Sequence, residues 1–295
     1  MKCSLCGKKT EKIMKVVDGV GIYECENCRL GFVDQNKIVK KNLDKLYRLN
    51  EYKKEERMIE SRLDPIVDNI LKYKNSGSAL EIGSGHGLLS SLLLKKGNFK
   101  LEVVEPYLNP HYLSGQSYKL HKTDLDRFLK IYKKKFDLIL IFDVIEHLED
   151  PFTSLQNLKD ILRKDGVLVI QTPNYQSLMQ SMTKKWSWWM IEDHKWFFTP
   201  HSLQKALKKK GFNNVYRRTY EDWIDFKKNL DGNFAYLKNS LIRKIVKVIF
   251  FTIFIPFYFL MRHFFWIARR GGLLLVIARL DAVDDRDNNQ KKHKN

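Results

Sequence analysis

Apolar and polar positions follow a different pattern in each of three regions of the chain. Residues 12–25 contain two short apolar runs on either side of Asp18-Gly19, which predicts a β-hairpin. Residues 34–60 are dense in charge and carry too few apolar positions for a buried face, so we expect a charged linker with a tendency to be helical. Residues 61–280 alternate helical periodicity with short, nearly continuous apolar runs, which indicates an α/β fold.

Within the α/β region, apolar residues at helical spacing predict helices over 63–71 and 88–96. Separate apolar runs predict strands. These runs are 79–82, 99–105, 135–143, 162–174, 212–220 and 271–280. A further strand, third in chain order, is expected before the strand-to-helix turn at Asp124 in "YKLHKTDLDRF", residues 118–128. The run at 135–143 is apolar almost throughout, as expected for a strand that is buried on both faces.

Residues 221–270, between the last two predicted strands, form an aromatic and basic insertion. Its most apolar part is "KVIFFTIFIPFYFLMRHFFWIARR", residues 247–270. The uncharged segment 248–261 is shorter than the ~20 residues that a spanning helix needs, and it contains Pro256. A single crossing would also separate two strands of one sheet across the bilayer. We therefore expect an in-plane element or a shallow helical hairpin.

Basic residues flank this run. Their charges suit anionic lipid headgroups, and the aromatic side chains between them suit the acyl boundary. The basic residues are Arg243, Lys244, Lys247, Arg262, Arg269 and Arg270. We expect residues 241–268 to rest on the inner face of a membrane. A lid over an apolar ligand, or packing on the domain itself or on a second subunit, stays open as an alternative.

The formal net charge of +19 widens the range of partners to consider. It favours nucleic acid, phospholipid headgroups or a phosphorylated substrate, although lysines scattered over helix surfaces would give the same total. The N-terminal "MKCSLCGKKTEK" lacks the apolar core of a signal peptide, so we expect a reducing, cytoplasmic setting. Residues 281–295 are polar, and we expect a disordered tail.

All four cysteines fall in two C-x2-C pairs near the N-terminus, Cys3 with Cys6 and Cys25 with Cys28. Each pair supplies two thiolates from one tight turn, and zinc takes four ligands at tetrahedral corners. We therefore predict a zinc ribbon over residues 1–33. Its zinc would be structural, because four cysteines leave no open coordination position. Four free thiols, or two redox pairs, are the alternatives.

A glycine-rich turn follows the first strand of the α/β region and precedes a helix, which places backbone N–H groups and a helix N-terminus before a polar ligand. The dinucleotide fingerprint is excluded because Leu88 occupies its third glycine position, and the lysine of a P-loop is absent. An acid, Glu81, precedes the glycines instead, and it suits a ligand with positive charge near the loop. The loop residues are Gly83, Ser84, Gly85 and Gly87.

With the form E-x-G-x-G-x-G, this turn resembles the first motif of the class I S-adenosylmethionine-dependent methyltransferases. Glu105 ends the second strand, where an acid can accept both ribose hydroxyls. The resemblance implies that Asp124 and Leu125 contact the adenine and that Asp143, after the fourth strand, also binds the cofactor. It implies a seven-stranded, mostly parallel, doubly wound sheet with the ligand across the carboxyl ends of its strands.

Two further segments, "EHLEDP" at 146–151 and "HKWFFTPHSL" at 194–203, resemble ubiquinone-pathway O-methyltransferases and favour an oxygen acceptor. His147 and His194 are then the candidates for the base that removes the acceptor proton. Backbone hydrogen bonding for His147 and loop packing for His194 are the structural alternatives. Asp143, Glu146 and His147 could instead hold a divalent cation.

Four tryptophans cluster on the expected substrate side of the site. They are Trp186, Trp188, Trp189 and Trp196. They predict a pocket wall or a membrane-edge belt, or else they cover the sheet as ordinary core.

The acceptor is expected to be a small molecule or a lipid-linked compound, because ribbon-bearing enzymes of this type also resemble sugar and glycan methyltransferases. The alternative is an RNA substrate bound by the ribbon and the basic surface, although the apolar runs do not suggest a base-stacking platform. A non-catalytic cofactor-binding protein is the third candidate. The sequence leaves the oligomeric state unknown.

Overall fold

The computed structural model describes most of the chain. The described residues are 1–34, 49–183, 186–221, 223–231, 234 and 236–281. The first part of the predicted linker and the predicted tail beyond Asp281 lie outside them.

The described residues form strands and helices that alternate through the α/β region. The strands are β1 (Ile13–Val17), β2 (Val20–Glu24), β3 (Gly31–Val33), β4 (Ser76–Ile82), β5 (Asn98–Val104), β6 (Tyr118–His121), β7 (Phe136–Phe142), β8 (Leu162–Pro173), β9 (Trp196–Phe197), β10 (Phe212–Tyr220) and β11 (Leu273–Leu280). The helices are α1 (Leu49–Leu71), α2 (Leu88–Lys96), α3 (Leu125–Ile131), α4 (Pro151–Asp160), α5 (Leu178–Met182), α6 (Pro200–Lys209), α7 (Trp223–Asp231) and α8 (Ser240–Ile267).

Seven strands form the central sheet in the order β10-β11-β8-β7-β4-β5-β6. The five strands from β8 to β6 run parallel to one another. β11 runs antiparallel to both of its neighbours, β8 and β10. The predicted seven-stranded, mostly parallel sheet is confirmed, and the carboxyl ends of its parallel strands meet at one edge.

Helices cover both faces of this sheet, as the resemblance implied. Ile139 and Ile141 of β7 point into a core that includes side chains of α3, α4 and α6. Leu138 and Leu140 of the same strand point the other way, into a core with α1 and α2. Because alternate residues of one strand are buried on opposite faces, the strand is apolar almost throughout.

A second, four-stranded sheet has the order β1-β2-β3-β9. The turn between β1 and β2 has positive φ at Asp18 (48°) and Gly19 (81°), the geometry of a tight hairpin turn. Its fourth strand, β9, comes from the α/β region. The cysteine ribbon is therefore hydrogen-bonded to the rest of the chain.

The insertion between β10 and β11 consists of α7 and α8. Residues 247–270 do not fold back on themselves, so the prediction of a shallow helical hairpin within them is wrong. α8 continues through Pro256 because Phe251, Tyr258 and Phe265, spaced by two turns, stay buried on one side. Among the described helices, α8 alone has the length and hydropathy of a membrane span, and 11% of its most apolar window is buried.

α1 begins at Leu49, well before the first residue at which apolar spacing indicates a helix. Tyr52 and Ile59, both within the predicted linker, pack against the core that contains α1 and α2. Two apolar contacts on an otherwise charged stretch are too few to produce a periodic signal.

Candidate active site

The loop between β4 and α2 is held in a conformation that favours glycine. Gly83, Gly85 and Gly87 have positive φ values of 70°, 53° and 84°. A Cβ on Gly83 would overlap a methyl group of Val144, and one on Gly87 would lie 2.9 Å from Pro110 Cβ. The loop is thus packed tightly on two sides.

Glu105 connects this loop with the end of β5. One carboxylate oxygen accepts from Gly85 N at 3.0 Å, and the other accepts from Tyr107 N and Leu108 N at 2.9 and 3.2 Å. The side chain is 5% exposed. Glu105 therefore stands, with a fixed orientation, at the carboxyl end of the sheet beside the glycine loop.

Glu81, in β4, is buried beneath the same loop and accepts a hydrogen bond from the hydroxyl of Ser90. Burial raises the pKa of Glu81 to about 7, and the nearby charge of Glu105 adds to that shift. A cation placed near Glu81 would favour its ionised form.

Two buried polar atoms near the glycine loop have no hydrogen-bond partner within the described residues. They are Ser84 Oγ and Asp143 Oδ1. Asp143 follows β7 with a φ of 53°, and its other oxygen accepts from Gln171 Nε2 at 2.9 Å. Burial raises the pKa of Asp143. Orphaned polar atoms of this kind suit a polar ligand, because a buried group without a partner destabilises the protein.

Asp124 and Leu125 lie after β6, as predicted. Asp124 caps α3 by accepting from Arg127 N at 2.8 Å, and its side chain is exposed, whereas Leu125 is buried. The cap gives Asp124 a structural role of its own.

Three aromatic residues near the loop were not singled out from the sequence. The Tyr52 ring of α1 lies 4.8 Å from that of His86, within the glycine loop, and 5.9 Å from that of Tyr112. Burial raises the pKa of Tyr52, and the charges of Glu81 and Asp143 contribute. α1 thus packs over the loop. Isolated aromatics in a charged stretch give no sequence signal for such a contact.

The two candidate bases lie together, with ring centroids 4.6 Å apart. His147 Nδ1 lies 3.1 Å from a carboxylate oxygen of Asp193, and His194 Nδ1 lies 3.0 Å from Trp188 O. His194 is 2% exposed. Its contact with a carbonyl oxygen places the proton on Nδ1 and leaves Nε2 as an acceptor.

These two imidazoles have opposite charge preferences. Burial and the charge on His147 lower the pKa of His194 to about 3. Burial opposes the charge on His147 as well, but its hydrogen bond to Asp193 and the charge of Glu146 raise its pKa to about 9. At neutral pH the pair therefore consists of one imidazolium and one neutral imidazole.

Glu146, His147 and His194 each offer a ligand atom within 4.8 Å of the others. The predicted cation set had Asp143 in place of His194, and in the structure the histidine joins the group. One oxygen of Glu146 accepts from Thr172 Oγ1 at 2.9 Å, and burial raises the pKa of Glu146 to about 8.

Three of the four tryptophans, Trp186, Trp189 and Trp196, are buried in the cores around the ribbon. The core interpretation therefore applies to them. Trp188 is half-buried and stacks on His194 with centroids 6.1 Å apart.

The four cysteine sulfurs also lie within 4.8 Å of one another. Cys3 and Cys28 Sγ are 3.5 Å apart, and Cys6 and Cys25 Sγ are 3.4 Å apart. Hydrogen bonding to Cys28 lowers the pKa of the Cys3 thiol to about 5. Four convergent sulfurs, with one thiol readily ionised, fit a tetrahedral metal ion.

Solved structures share this architecture. An S-adenosylmethionine-dependent methyltransferase from Archaeoglobus fulgidus superimposes with a TM-score of 0.51 at 17% identity, over 77% of this chain and 98% of that one. One from Thermotoga maritima gives a TM-score of 0.52 at 17% identity, over 78% and 95%. The fold is that of the S-adenosylmethionine-dependent methyltransferases.

Residues 53–217 match the methyltransferase-domain family, and the chain belongs to that family. The predicted class of enzyme is thereby confirmed.

Several curated relatives of the chain are ubiquinone biosynthesis O-methyltransferases. The ubiquinone biosynthesis O-methyltransferase of Cereibacter sphaeroides is 27% identical over 155 residues, 47% of this chain and 61% of that protein. The protein of that name from Actinobacillus pleuropneumoniae serotype 5b is 27% identical over 126 residues, 38% and 54%. The chain thus spans less than two thirds of either relative.

Proposed function

We propose that the chain transfers a methyl group from S-adenosylmethionine to an oxygen atom of a small-molecule or lipid-linked acceptor. The observation that carries this proposal is the adjacency of two groups of residues at one edge of the sheet. The glycine loop with Glu105 and Asp143 suits the cofactor. His147 follows Asp143 in the loop after β7, close enough for its charge to lower the pKa of Asp143, and His194 contacts His147 from the segment after β8. The relatives named ubiquinone biosynthesis O-methyltransferase support an oxygen atom of a small molecule as the acceptor.

In this proposal the orphaned atoms of Ser84 and Asp143 would bind the cofactor. Glu105 would accept the ribose hydroxyls and Glu81 would face its positive charge. The glycine loop, namely Gly83, Ser84, Gly85 and Gly87, would lie along it. Asp124 and Leu125 would contact the adenine.

The bound cofactor supplies an electrophilic methyl group on a sulfonium, so the protein has to align the acceptor and exclude water. The cation on His147 would stabilise the acceptor oxygen as it loses its proton. Neutral His194 would accept that proton at Nε2, and the negative charge that develops on the acceptor oxygen would offset the charge on His147 that helps to keep the pKa of His194 low. Replacing His194 with Gln should lower kcat by 10²–10⁴-fold, the usual contribution of a general base.

A divalent cation bound by Glu146, His147 and His194 would serve the same purpose by lowering the pKa of the acceptor hydroxyl. Activity that is lost in EDTA and returns with Mg²⁺ only after zinc has been restored to the cysteines would favour the cation. Activity that persists in EDTA, or returns with zinc alone, would favour the two histidines.

The cysteine cluster supports a bound zinc ion, coordinated by Cys3, Cys6, Cys25 and Cys28. We place the protein in the cytoplasm on the inner face of a membrane, and the exposed outer face of α8 supports the membrane contact. Large apolar side chains along its outer face are exposed, among them Ile253 at 72% and Leu260 at 74%. Basic residues lie near both ends of α8.

The test is transfer of labelled methyl from S-adenosylmethionine into separate RNA, lipid and small-molecule extracts of the native cell. We expect label in the lipid or small-molecule extract. Label in RNA alone would replace the proposal with an RNA methyltransferase, and a lack of label in every extract, with intact cofactor binding, would favour a non-catalytic protein.

A further inference from the structure

The cysteine ribbon shares a sheet with the segment that follows His194. β3 pairs antiparallel with β9, with Gly31 opposite Phe197 and Phe32 opposite Trp196. Val33 N donates to Lys195 O at 3.2 Å. The third strand of the ribbon therefore holds the backbone immediately after one of the candidate bases.

The same segment is held from the other side by the loop that carries the other candidate base. Lys195 N and Trp196 N both donate to Glu146 O, at 2.9 and 3.2 Å. The Trp196 indole N–H donates to Leu148 O at 2.7 Å. Residues 195–197 are thus held between the ribbon and the 146–148 loop, which fixes the approach of His194 to His147.

Close contact between β3 and β9 depends on one glycine. A Cβ built on Gly31 would lie 2.8 Å from Phe197 Cβ and 3.3 Å from Tyr175 Cε1. Real Cβ atoms essentially never approach another carbon to 2.8 Å, so any larger residue here forces the two strands apart. The φ of Gly31 is not positive, and the requirement is therefore one of space.

The ribbon has little apolar material with which to fold alone. Its strands contain five, five and three residues. Cys3, Cys25 and Cys28 are themselves among its buried side chains. A module of this size gains its stability from the metal that its cysteines bind.

We propose that the metal-bound ribbon is a positioning element for the acceptor side of the active site: through β3 and β9 it holds His194 against His147. The four cysteines and Gly31 act through His194 and touch neither cofactor nor acceptor. This inference rests on the proposed function, in which His194 accepts the proton.

The test compares Gly31→Ala with Gly21→Ala in the full-length, zinc-loaded protein. Gly21 is a glycine of the same ribbon whose added Cβ finds Ile13 at an ordinary 3.6 Å. The first readout is the rate at which diethyl pyrocarbonate modifies His194, measured by mass spectrometry of its peptide, with exposed His111 as internal reference. The second is the affinity for S-adenosylhomocysteine, measured by calorimetry.

We expect Gly31→Ala to speed the modification of His194 at least tenfold, with cofactor-product affinity within twofold of wild type. Gly21→Ala should change neither. Removal of zinc from the wild-type protein should reproduce the Gly31→Ala result and be reversed by adding zinc back. In a methyl-transfer assay with the extract that accepts label, Gly31→Ala and zinc removal should lower kcat. The half-saturating concentration of S-adenosylmethionine should stay constant.

The proposal is overturned if diethyl pyrocarbonate modifies His194 no faster in Gly31→Ala and in zinc-free protein than in the zinc-loaded wild type. A parallel loss of product affinity would overturn it too, because the ribbon would then support the whole domain. Failure of the proposed function gives a different result. His194→Gln would then leave methyl transfer unchanged, whatever the modification rates show.

Discussion

Of the three glycines in the loop after β4, Gly85 alone opens onto empty space, with no atom within 4 Å of an added Cβ. Gly115 is its counterpart outside the site, with a φ of 77° and equally open surroundings. Alanine at either position adopts a left-handed conformation that costs roughly 1–2 kcal/mol. We expect Gly85→Ala and Gly115→Ala to lower the free energy of unfolding by similar amounts.

Their effects on ligand binding should differ. In Gly85→Ala the new methyl group would occupy space that we assign to the cofactor, and calorimetry should show at least a tenfold loss of S-adenosylhomocysteine affinity. Gly115→Ala should bind as wild type does. Equal affinities for the two variants would mean that the cofactor does not approach this loop.

Glu81 gives the site a pH dependence whose sign follows from its raised pKa. Its pKa is about 7 in the folded protein against 4.5 for an unperturbed glutamate, so between these values the folded state holds the extra proton. The contribution of Glu81 to the free energy of unfolding of the ligand-free protein should therefore fall as pH rises from 4.5 to 7, by about 3 kcal/mol at most, and then level off. Burial raises the pKa values of Asp143 and Glu146 as well, so Glu81→Gln should make the slope of stability against pH shallower between pH 4.5 and 7 in chemical denaturation curves without abolishing it.

The cofactor should respond to the same proton. A positive ligand near Glu81 favours the carboxylate, so affinity for S-adenosylmethionine should rise by up to about tenfold per pH unit below 7 and then become constant. Glu102→Gln is the control, because ion pairing and hydrogen bonds overcome burial and lower the pKa of Glu102 to about 2. A wild-type affinity that does not change with pH would exclude Glu81 from the cofactor's surroundings.

The N-terminal turns of α1 cover the glycine loop through Tyr52. Tyr52→Ala removes the ring that contacts His86 and Tyr112, so we expect bound S-adenosylhomocysteine to dissociate at least five times faster in stopped-flow measurements. Lys53→Ala, one residue on and exposed, should leave the dissociation rate unchanged. If S-adenosylhomocysteine dissociates from both variants at the wild-type rate, α1 does not cover the bound cofactor.

The elements that the sequence predicts well are those whose signal is local. β7 is recognisable because it is buried on both faces, and the glycine loop because three positive φ values select glycine. The pairing of β3 with β9 could not be predicted, because β9 has two residues and its partner lies far away in the chain. The continuity of α8 through Pro256 depends on tertiary burial, which apolar periodicity alone does not report.

Long-range contacts, in contrast, decide how the candidate site is assembled. The sequence predicted His147 and His194 as separate candidates, and the ring contact between them is set by the fold. The division of charge between them needs Asp193, whose carboxylate contacts His147. No spacing rule connects residues that lie in the loops of different strands.

The position of α8 on the whole molecule restricts how the protein could meet a membrane. Tyr258 packs on Trp223 and Phe226 of α7, at 4.9 and 4.6 Å between centroids, so one side of α8 belongs to the folded domain. Deleting residues 241–268 would remove that packing together with the apolar outer face. Substitutions confined to the outer face therefore test membrane docking more cleanly.

The double variant Ile253→Asp/Leu260→Asp places two acids on the outer face of α8. We expect it to lose at least tenfold in binding to phosphatidylglycerol-containing vesicles in a sedimentation assay, because burying a charge at the acyl boundary is unfavourable. Ile131→Asp/Met182→Asp is the matched control: both side chains are highly exposed, at 81% and 70%, and both lie outside α8. It makes the same change of net charge and should bind as wild type does.

Salt separates the apolar from the electrostatic part of this binding. Wild-type binding should weaken between 0.1 and 0.5 M NaCl as headgroup attraction is screened, with the Debye length falling below about 10 Å, yet a measurable fraction should persist through the apolar contacts. Binding to RNA would instead collapse steeply over the same range. If both double variants sediment with vesicles as wild type does, the outer face of α8 is not a membrane surface, and the lid and second-subunit interpretations take its place.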